Sequence, residues 1–421
     1  MFRKVFYNAA SQIVGKFVTA SVTLVVTLLI SKSLGPSGYG EFTKIFVFVA
    51  YFYTLSDFGL NSIFVKITGA KNQINNLRAL VGLRLMISLV LVSVAVSLGF
   101  LLPYDSESTI GFSPIVKTGI AIASLTIITQ SLFTTANAFF QKNLRYDLST
   151  IAAAAGSSAI FITAAVASKF YSSITPFVFA YVIGGLVYSF VAFLIIYQRV
   201  HKIIFPKFQV ATFKSLSKPA WPVGLALIFN LIYFRIDVFI LANFRSTQEV
   251  GYYGLAYQFF EATLAIPIFF VNAIYPVLLQ IYKKSQENFQ KKLLVWLVVL
   301  GLISIIVMIL LFIVSYLIPI VDQRFAQSQI ALKILAVGIP FFFISALLWH
   351  LLIIYEKQKY LSYIYGFGAL FNLALNLIFI PSFGYLAAAV ITVVSEALIL
   401  LLLVLVSVKI ISNGSKSTQN H

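Results

Sequence analysis

Twelve uninterrupted apolar runs, each long enough to cross a bilayer, constrain this chain more than any other feature. They fall at about 8–31, 42–64, 80–102, 117–140, 148–168, 175–197, 219–243, 251–281, 293–318, 330–354, 360–380 and 385–408. A helix needs about 20 predominantly apolar residues to span the hydrocarbon. Lipid offers no partner to a free backbone N–H or C=O, so a spanning segment is a helix or a strand of a closed barrel. Barrel strands alternate over roughly ten residues, and these runs do not alternate. The run at 251–281 exceeds a straight perpendicular crossing, and Pro267 and Pro276 are expected to kink it. Charged residues make up only 10% of the chain and mean hydropathy is +0.98, whereas a soluble domain carries about a quarter charged residues. That supply excludes a soluble enzyme and a disordered chain. The absence of cysteine excludes a disulfide framework and a thiolate site. His201, His350 and His421 are too far apart for a ligand pattern.

Orientation follows from the loops. With the N-terminus inside, the cytoplasmic segments carry 20 of the 30 basic residues, and the outer loops carry 4: Lys32, Lys169, Arg245 and Arg324. Short basic loops stay on the cytoplasmic side, so both termini are expected there, in the cytoplasmic (inner) cell membrane. Contact of these loops with anionic membrane lipid accounts for most of the net charge of +18 without a nucleic-acid partner. The first run is longer than the apolar core of a secretory signal and contains Lys16, so it is expected to be the first span.

The longest inner loop lies at mid-chain around Pro206. It divides the chain into an N-terminal six-helix bundle (1–200), a basic linker (201–218), a C-terminal six-helix bundle (219–408) and a cytoplasmic tail (409–421). Each half carries a Gly-Tyr turn after its first span: Gly35-Pro36-Ser37-Gly38-Tyr39-Gly40 and Val250-Gly251-Tyr252-Tyr253-Gly254. Six spans per half is an even number, so the halves share an orientation and the repeat is parallel. The expected fold class is an all-α polytopic membrane protein, with about twelve transmembrane helices in two six-helix bundles related by a parallel pseudo-twofold repeat.

No GxxxxGK[ST] loop is present, no metal constellation is visible, and no outer loop exceeds about twelve residues. These features imply no cofactor, no metal and no enzyme, and they disfavour a glycan polymerase. Transport or a non-catalytic scaffold remains. Charges inside spans then carry the information, because each is costly in hydrocarbon and faces a wet cavity or a partner. Six are basic (Lys16, Lys44, Arg84, Lys117, Arg235, Lys333) and four acidic (Asp57, Asp237, Glu261, Glu396). Lys44, Lys117, Lys333 and Arg84 sit near span ends, where a long side chain reaches water. Arg235 offers a planar fork of donors matched to phosphate oxygens, with Lys16 as its counterpart in the first half. Asp237, two residues from Arg235, does not share its helix face. Glu261 and Glu396 are either cation or proton sites or counter-ions of the bases. The tyrosines Tyr51, Tyr53, Tyr252, Tyr253 and Tyr257 are either interface anchors or the lining of a sugar-contacting cavity.

The segment Ser33-Leu34-Gly35-Pro36-Ser37-Gly38-Tyr39-Gly40-Glu41-Phe42 resembles the turn after the first helix in Wzx-type polysaccharide-biosynthesis exporters. These belong to the multidrug/oligosaccharidyl-lipid/polysaccharide (MOP) exporter superfamily. Arg235-Ile236-Asp237 through Gly254, and Asp57-Phe58-Gly59-Leu60, are similar to further parts of that pattern. The resemblance implies two six-helix bundles facing each other across a cationic cavity, lined by the first two helices of each half. It implies a flippase that moves undecaprenyl-pyrophosphate-linked oligosaccharide to the outer face for surface polysaccharide such as O-antigen or exopolysaccharide. A polysaccharide polymerase and other assembly proteins are the implied partners. The candidate substrate groups are Lys16, Lys44, Asp57, Lys117 and Arg235. The candidate ion-coupling or counter-ion groups are Asp237, Glu261 and Glu396, although Glu396 falls outside the implied lining helices. A cation-coupled drug antiporter of the same superfamily is the alternative, and it would rest on the acidic groups. Arg235→Ala is expected to abolish transport and Lys44→Ala to be mild.

Overall fold

The computed structural model describes the backbone of residues 2–69, 72–208 and 210–418. Side chains are described for Gly15 and from Phe17 to Ser412, apart from 70–71 and part of 209–232. Packing divides the chain into two compact units, Met1–Gly251 and Tyr252–His421. The first unit holds helices α1 (Phe2–Asp57), α2 (Leu60–Ile67), α3 (Gln73–Leu101), α4 (Pro114–Ala123), α5 (Leu125–Lys142), α6 (Tyr146–Phe170), α7 (Thr175–Val200) and α8 (Val210–Phe244). It also holds the first turn of α9 (Thr247–Thr263) and a two-stranded hairpin, β1 (Tyr104–Asp105) with β2 (Ile110–Gly111). The second unit continues through α10 (Ala265–Lys284), α11 (Gln286–Val321), α12 (Ala326–Val337), α13 (Ile339–Ile354) and α14 (Gln358–Thr418). The sequence places the division between halves at 201–218; α8 follows that linker in the chain, yet packs within the first unit.

Nine helical segments among the described residues are long and apolar enough to cross a membrane. Two of them cross twice. α1 breaks at Gly35 (φ 68°, ψ −177°) and α14 at Gly384 (φ 62°, ψ −147°), backbone conformations essentially reserved for glycine. In α14 the two arms lie side by side: Asn372 Nδ2 donates to Ser395 Oγ (3.1 Å) and Gly368 faces Ile399. With α8, 35 residues long, the chain reaches the twelve crossings its hydropathy implies.

Helices in lipid gain little from burying apolar surface, so small residues that allow close approach carry the packing. α6 and α7 meet this way, Gly184 standing over Ile160 and the Gly156 carbonyl. Larger side chains gather between the first halves of α3 and α6 and the end of α5, where Phe64, Leu77, Leu80, Phe140 and Ala152 are fully buried. The segment 201–208 straps across this end: Lys207 N donates to Arg78 O (2.9 Å), and Gly82 lies beneath the Lys207 backbone. This is the linker end of the unit. The opposite end, with the β1–β2 hairpin, is the hairpin end.

Several spans bend where the sequence offered no firm marker. The second span, read as continuous over 42–64, breaks at Phe58 (φ 41°) and Gly59 (φ 76°) before restarting as α2. The long run at 251–281 breaks at Leu264, so Pro267 falls in the first turn of α10, where a proline costs no hydrogen bond. Pro276 lies inside α10. The fourth span breaks at Ser124 and the tenth at Gly338, two residues before Pro340.

Candidate substrate and coupling sites

At the hairpin end, Ser113 caps α4. Its Oγ accepts from Val116 N (3.3 Å) and donates to Glu41 Oε1 (2.9 Å), with Pro114 preset for the first helical position. One turn along from Glu41, Lys44 is only 2% exposed. Its Nζ donates to Gly111 O (2.7 Å) and to Thr247 Oγ1 (2.7 Å), and Thr247 Oγ1 donates to Thr109 O (2.8 Å). Ile110 forms an antiparallel bridge with Ser246. The hairpin is thereby stitched to the turn between α8 and α9, with Lys44 beneath it. Proximity to a span end suggests an ammonium reaching for water. The folded hairpin covers it instead, and two of its three donors are taken by protein oxygens. Lys117 does end at the surface, donating to Phe100 O (3.1 Å). Lys333, in the second unit, places Nζ 3.8 Å from the Tyr316 ring centroid.

Two helical turns along α1 from Lys44, about 10 Å, stands Tyr51. Its hydroxyl is buried with no hydrogen-bond partner among the described residues. It lies within electrostatic reach of Arg235 and Asp237 on α8, and its ring meets Phe239 edge-on. Asp237 is 3% exposed and accepts from Val238 N (2.7 Å). Arg235, two residues away and so on another face, is half-buried. A guanidinium inside the span of a membrane helix but still partly open can meet an anionic group that enters from the membrane interior.

Toward the linker end, Asp57 pairs with Arg84 of α3. Arg84 is fully buried, its Nη1 also donates to Thr135 Oγ1 (3.2 Å), and its Nε has no partner among the described residues. The expectation that Arg84 snorkels from a span end is therefore corrected: it turns inward because Asp57 meets it there. The pair holds the helix break at Phe58–Gly59, and Phe58 packs against Gly224 of α8. The Asp57 side chain remains 28% exposed.

In the second unit, Glu396 is 2% exposed and lies within electrostatic reach of Tyr365. One residue away, Ser395 accepts from Asn372, and Asn376 Nδ2 donates to Asn372 Oδ1 (2.8 Å). Asn376 is fully buried and its Oδ1 has no partner among the described residues. The Tyr253 hydroxyl meets Thr392 Oγ1 (3.3 Å) one turn away. This is a polar column within the apolar arms of α14. Glu261, in contrast, sits half-buried at the last turn of α9, beside the Leu264 break.

The first unit thus brings Lys44, Asp57, Arg235 and Asp237 onto or against the second arm of α1, and leaves Lys117 at its rim. The side chain of Lys16 lies outside the described residues. Charge alone did not reveal Asn372 and Asn376, although two asparagines one helical turn apart in an apolar run are a usable signal. Nothing local pairs Arg84 with Asp57, 27 residues earlier. Among the described residues no three His, Cys, Asp or Glu side chains come together.

A family model described as polysaccharide biosynthesis protein matches residues 4–282, and a second, MatE, matches residues 222–378. No curated protein matches. Among solved structures, the lipid II flippase MurJ in an inward closed conformation superposes with a TM-score of 0.77 at 18% identity, over 94% of this chain and 87% of that one. An inward-facing multidrug resistance MATE family transporter of the MOP superfamily gives 0.75 at 12% identity, over 97% and 99%. A MOP superfamily transporter from Pyrococcus furiosus, described by a binding pocket of reverse polarity, gives 0.64 at 14% identity, over 97% and 95%. At these identities the likeness shows the fold: a polytopic all-α membrane fold in two six-helix bundles.

Proposed function

The chain belongs to the polysaccharide biosynthesis protein family within the MOP exporter superfamily, and from that premise we propose that it flips an oligosaccharide carried on undecaprenyl pyrophosphate. The observation that carries the reading is Arg235, a half-buried guanidinium inside a span, beside the buried Asp237 and the Tyr51 hydroxyl, which has no hydrogen-bond partner among the described residues. A pyrophosphate needs charge-assisted donors in a low-dielectric site, and a guanidinium supplies two in parallel. Lys16, on the first arm of α1, is its counterpart by sequence. Asp237 is a counter-ion that keeps the site from trapping the phosphate. Asp57, spoken for by Arg84, shapes the site more than it binds. The sugar-bearing head would travel through the protein while the lipid tail stays in the bilayer. Both termini face the cytoplasm, as the basic loops imply. A polysaccharide polymerase is the candidate partner on the outer side.

Glu396 and Glu261 are the candidate coupling groups. The buried Glu396 with its asparagine neighbours also favours the second reading, a cation-coupled antiporter, for which acidic groups would dominate.

Purified protein in liposomes loaded with undecaprenyl-pyrophosphate-linked oligosaccharide tests the first reading. Lipid in the inner leaflet should become accessible to an added pyrophosphatase, and Arg235→Ala should stop this. Dye efflux driven by an ion gradient, with no lipid movement, would replace it with the second.

A further inference from the structure

We propose that the two Gly-Tyr turns form the two faces of one seal at the hairpin end, that Lys44 clamps it, and that transport requires it to part. The inference rests on the transporter reading and deepens it.

The contact is reciprocal and made of backbone. A Cβ on Gly40 would overlap the Thr247 carbonyl oxygen and stand 3.0 Å from Gly251 N. A Cβ on Gly251 would overlap the Pro36 carbonyl oxygen and stand 3.2 Å from Gly40 N. Each turn can approach only because the other presents a glycine, and one glycine comes from each of the two Gly-Tyr turns. Around them Tyr39, Phe42 and Val250 are buried, so water is shut out. Backbone faces of this kind touch through dispersion, which is weak per atom pair. They can separate and meet again without a side chain changing its rotamer.

Thr247 joins the seal to the clamp. Its carbonyl faces Gly40, and its hydroxyl takes the Lys44 ammonium and passes a hydrogen bond to Thr109. Lys44 also holds Gly111, so a single buried ammonium ties the hairpin, the α8–α9 turn and α1 together. This role differs from that of a substrate base: the Lys44 donors meet protein oxygens while the seal is shut.

The chain has no cysteine, so an introduced pair is read without background. Ile110 and Ser246 face each other across an antiparallel bridge, a geometry that brings Cα atoms within about 5.5 Å, inside disulfide range. In the double variant Ile110→Cys/Ser246→Cys, oxidation should close the disulfide and cut polysaccharide export by at least about tenfold in a deletion strain of the host. Dithiothreitol should restore it. A disulfide that fails to form, or export unchanged in fully cross-linked protein, overturns the seal. The second arm reads the protein alone. Val250→Cys should label slowly with a membrane-impermeant maleimide added outside, because the seal also parts spontaneously in the protein without substrate. Complete protection over hours would overturn the parting. Adding Lys44→Met should speed labelling severalfold. If that variant is missing from the membrane, Thr247→Val, which removes only the hydroxyl, should do the same. Equal labelling with and without these changes overturns the clamp. Because the maleimide arm needs no substrate, it decides the seal even where a normal glycolipid pattern in the deletion strain has sunk the oligosaccharide reading.

Discussion

Lys44 and Arg235 are both bases within the apolar runs of one packing unit, and they differ in how far they are closed off. Lys44 is closed in by the β1–β2 hairpin and spends its ammonium on Gly111 and Thr247. Arg235 remains half-buried beside Asp237 and Tyr51. An intramembrane base is therefore not a substrate group by virtue of its depth. What separates the two here is exposure: Lys44 is sealed, only 2% exposed, whereas Arg235 is still partly open. Asp57–Arg84 is a third case, in which a carboxylate neutralises the base and the pair shapes a helix break.

The largest effect should come from Arg235. Losing one or two charge-assisted bonds, each worth about 1.5–3 kcal/mol, should reduce lipid flipping by roughly a hundredfold or more in Arg235→Ala, with its level in the membrane unchanged. A variant that flips normally would move Arg235 into the same class as Lys44. Arg84→Ala should show the reverse pattern. Removing one member of a buried pair typically costs about 3–5 kcal/mol, so its thermal unfolding should move down sharply, and the double variant Arg84→Met/Asp57→Leu should recover part of the loss. A full loss in the double variant would mean that Asp57 has a task beyond holding Arg84. Lys44→Met should fall between. Its site near a span end suggests a mild change, but burial raises the expected cost to about 1–3 kcal/mol for the oxygens left unpaired, visible as reduced stability and a severalfold loss of transport. Lys117→Ala should change neither stability nor transport measurably, since its ammonium ends at the surface.

The crossings were legible because lipid leaves the backbone one local solution, so hydropathy alone locates them. The reversals were legible too: the Gly-Tyr turn with Gly35 separates the first two runs, and the runs at 360–380 and 385–408 are separate on either side of Gly384. The bend at Ser124 was not, whereas the break at Leu264 lies three residues before Pro267, one of the two prolines that predict a kink in that run. The site was only half legible. Counting intramembrane charges singled out Arg235, Asp237 and Glu396 as candidates, but it could not assign partners across helices. It grouped Lys44 with the substrate bases, whereas Gly111 and Thr247, 67 and 203 residues away, occupy its donors. The Gly-Tyr repeat was visible as a repeat. That its two copies touch is a tertiary fact.

The distribution of lipid-linked oligosaccharide between the two membrane faces, in a host strain lacking this protein, tests the central claim most directly. Accumulation on the cytoplasmic face, relieved by wild-type protein and not by Arg235→Ala, is the expected result. An unchanged distribution with surface polysaccharide intact would contradict it and shift the reading to a cation-coupled antiporter built around Glu396.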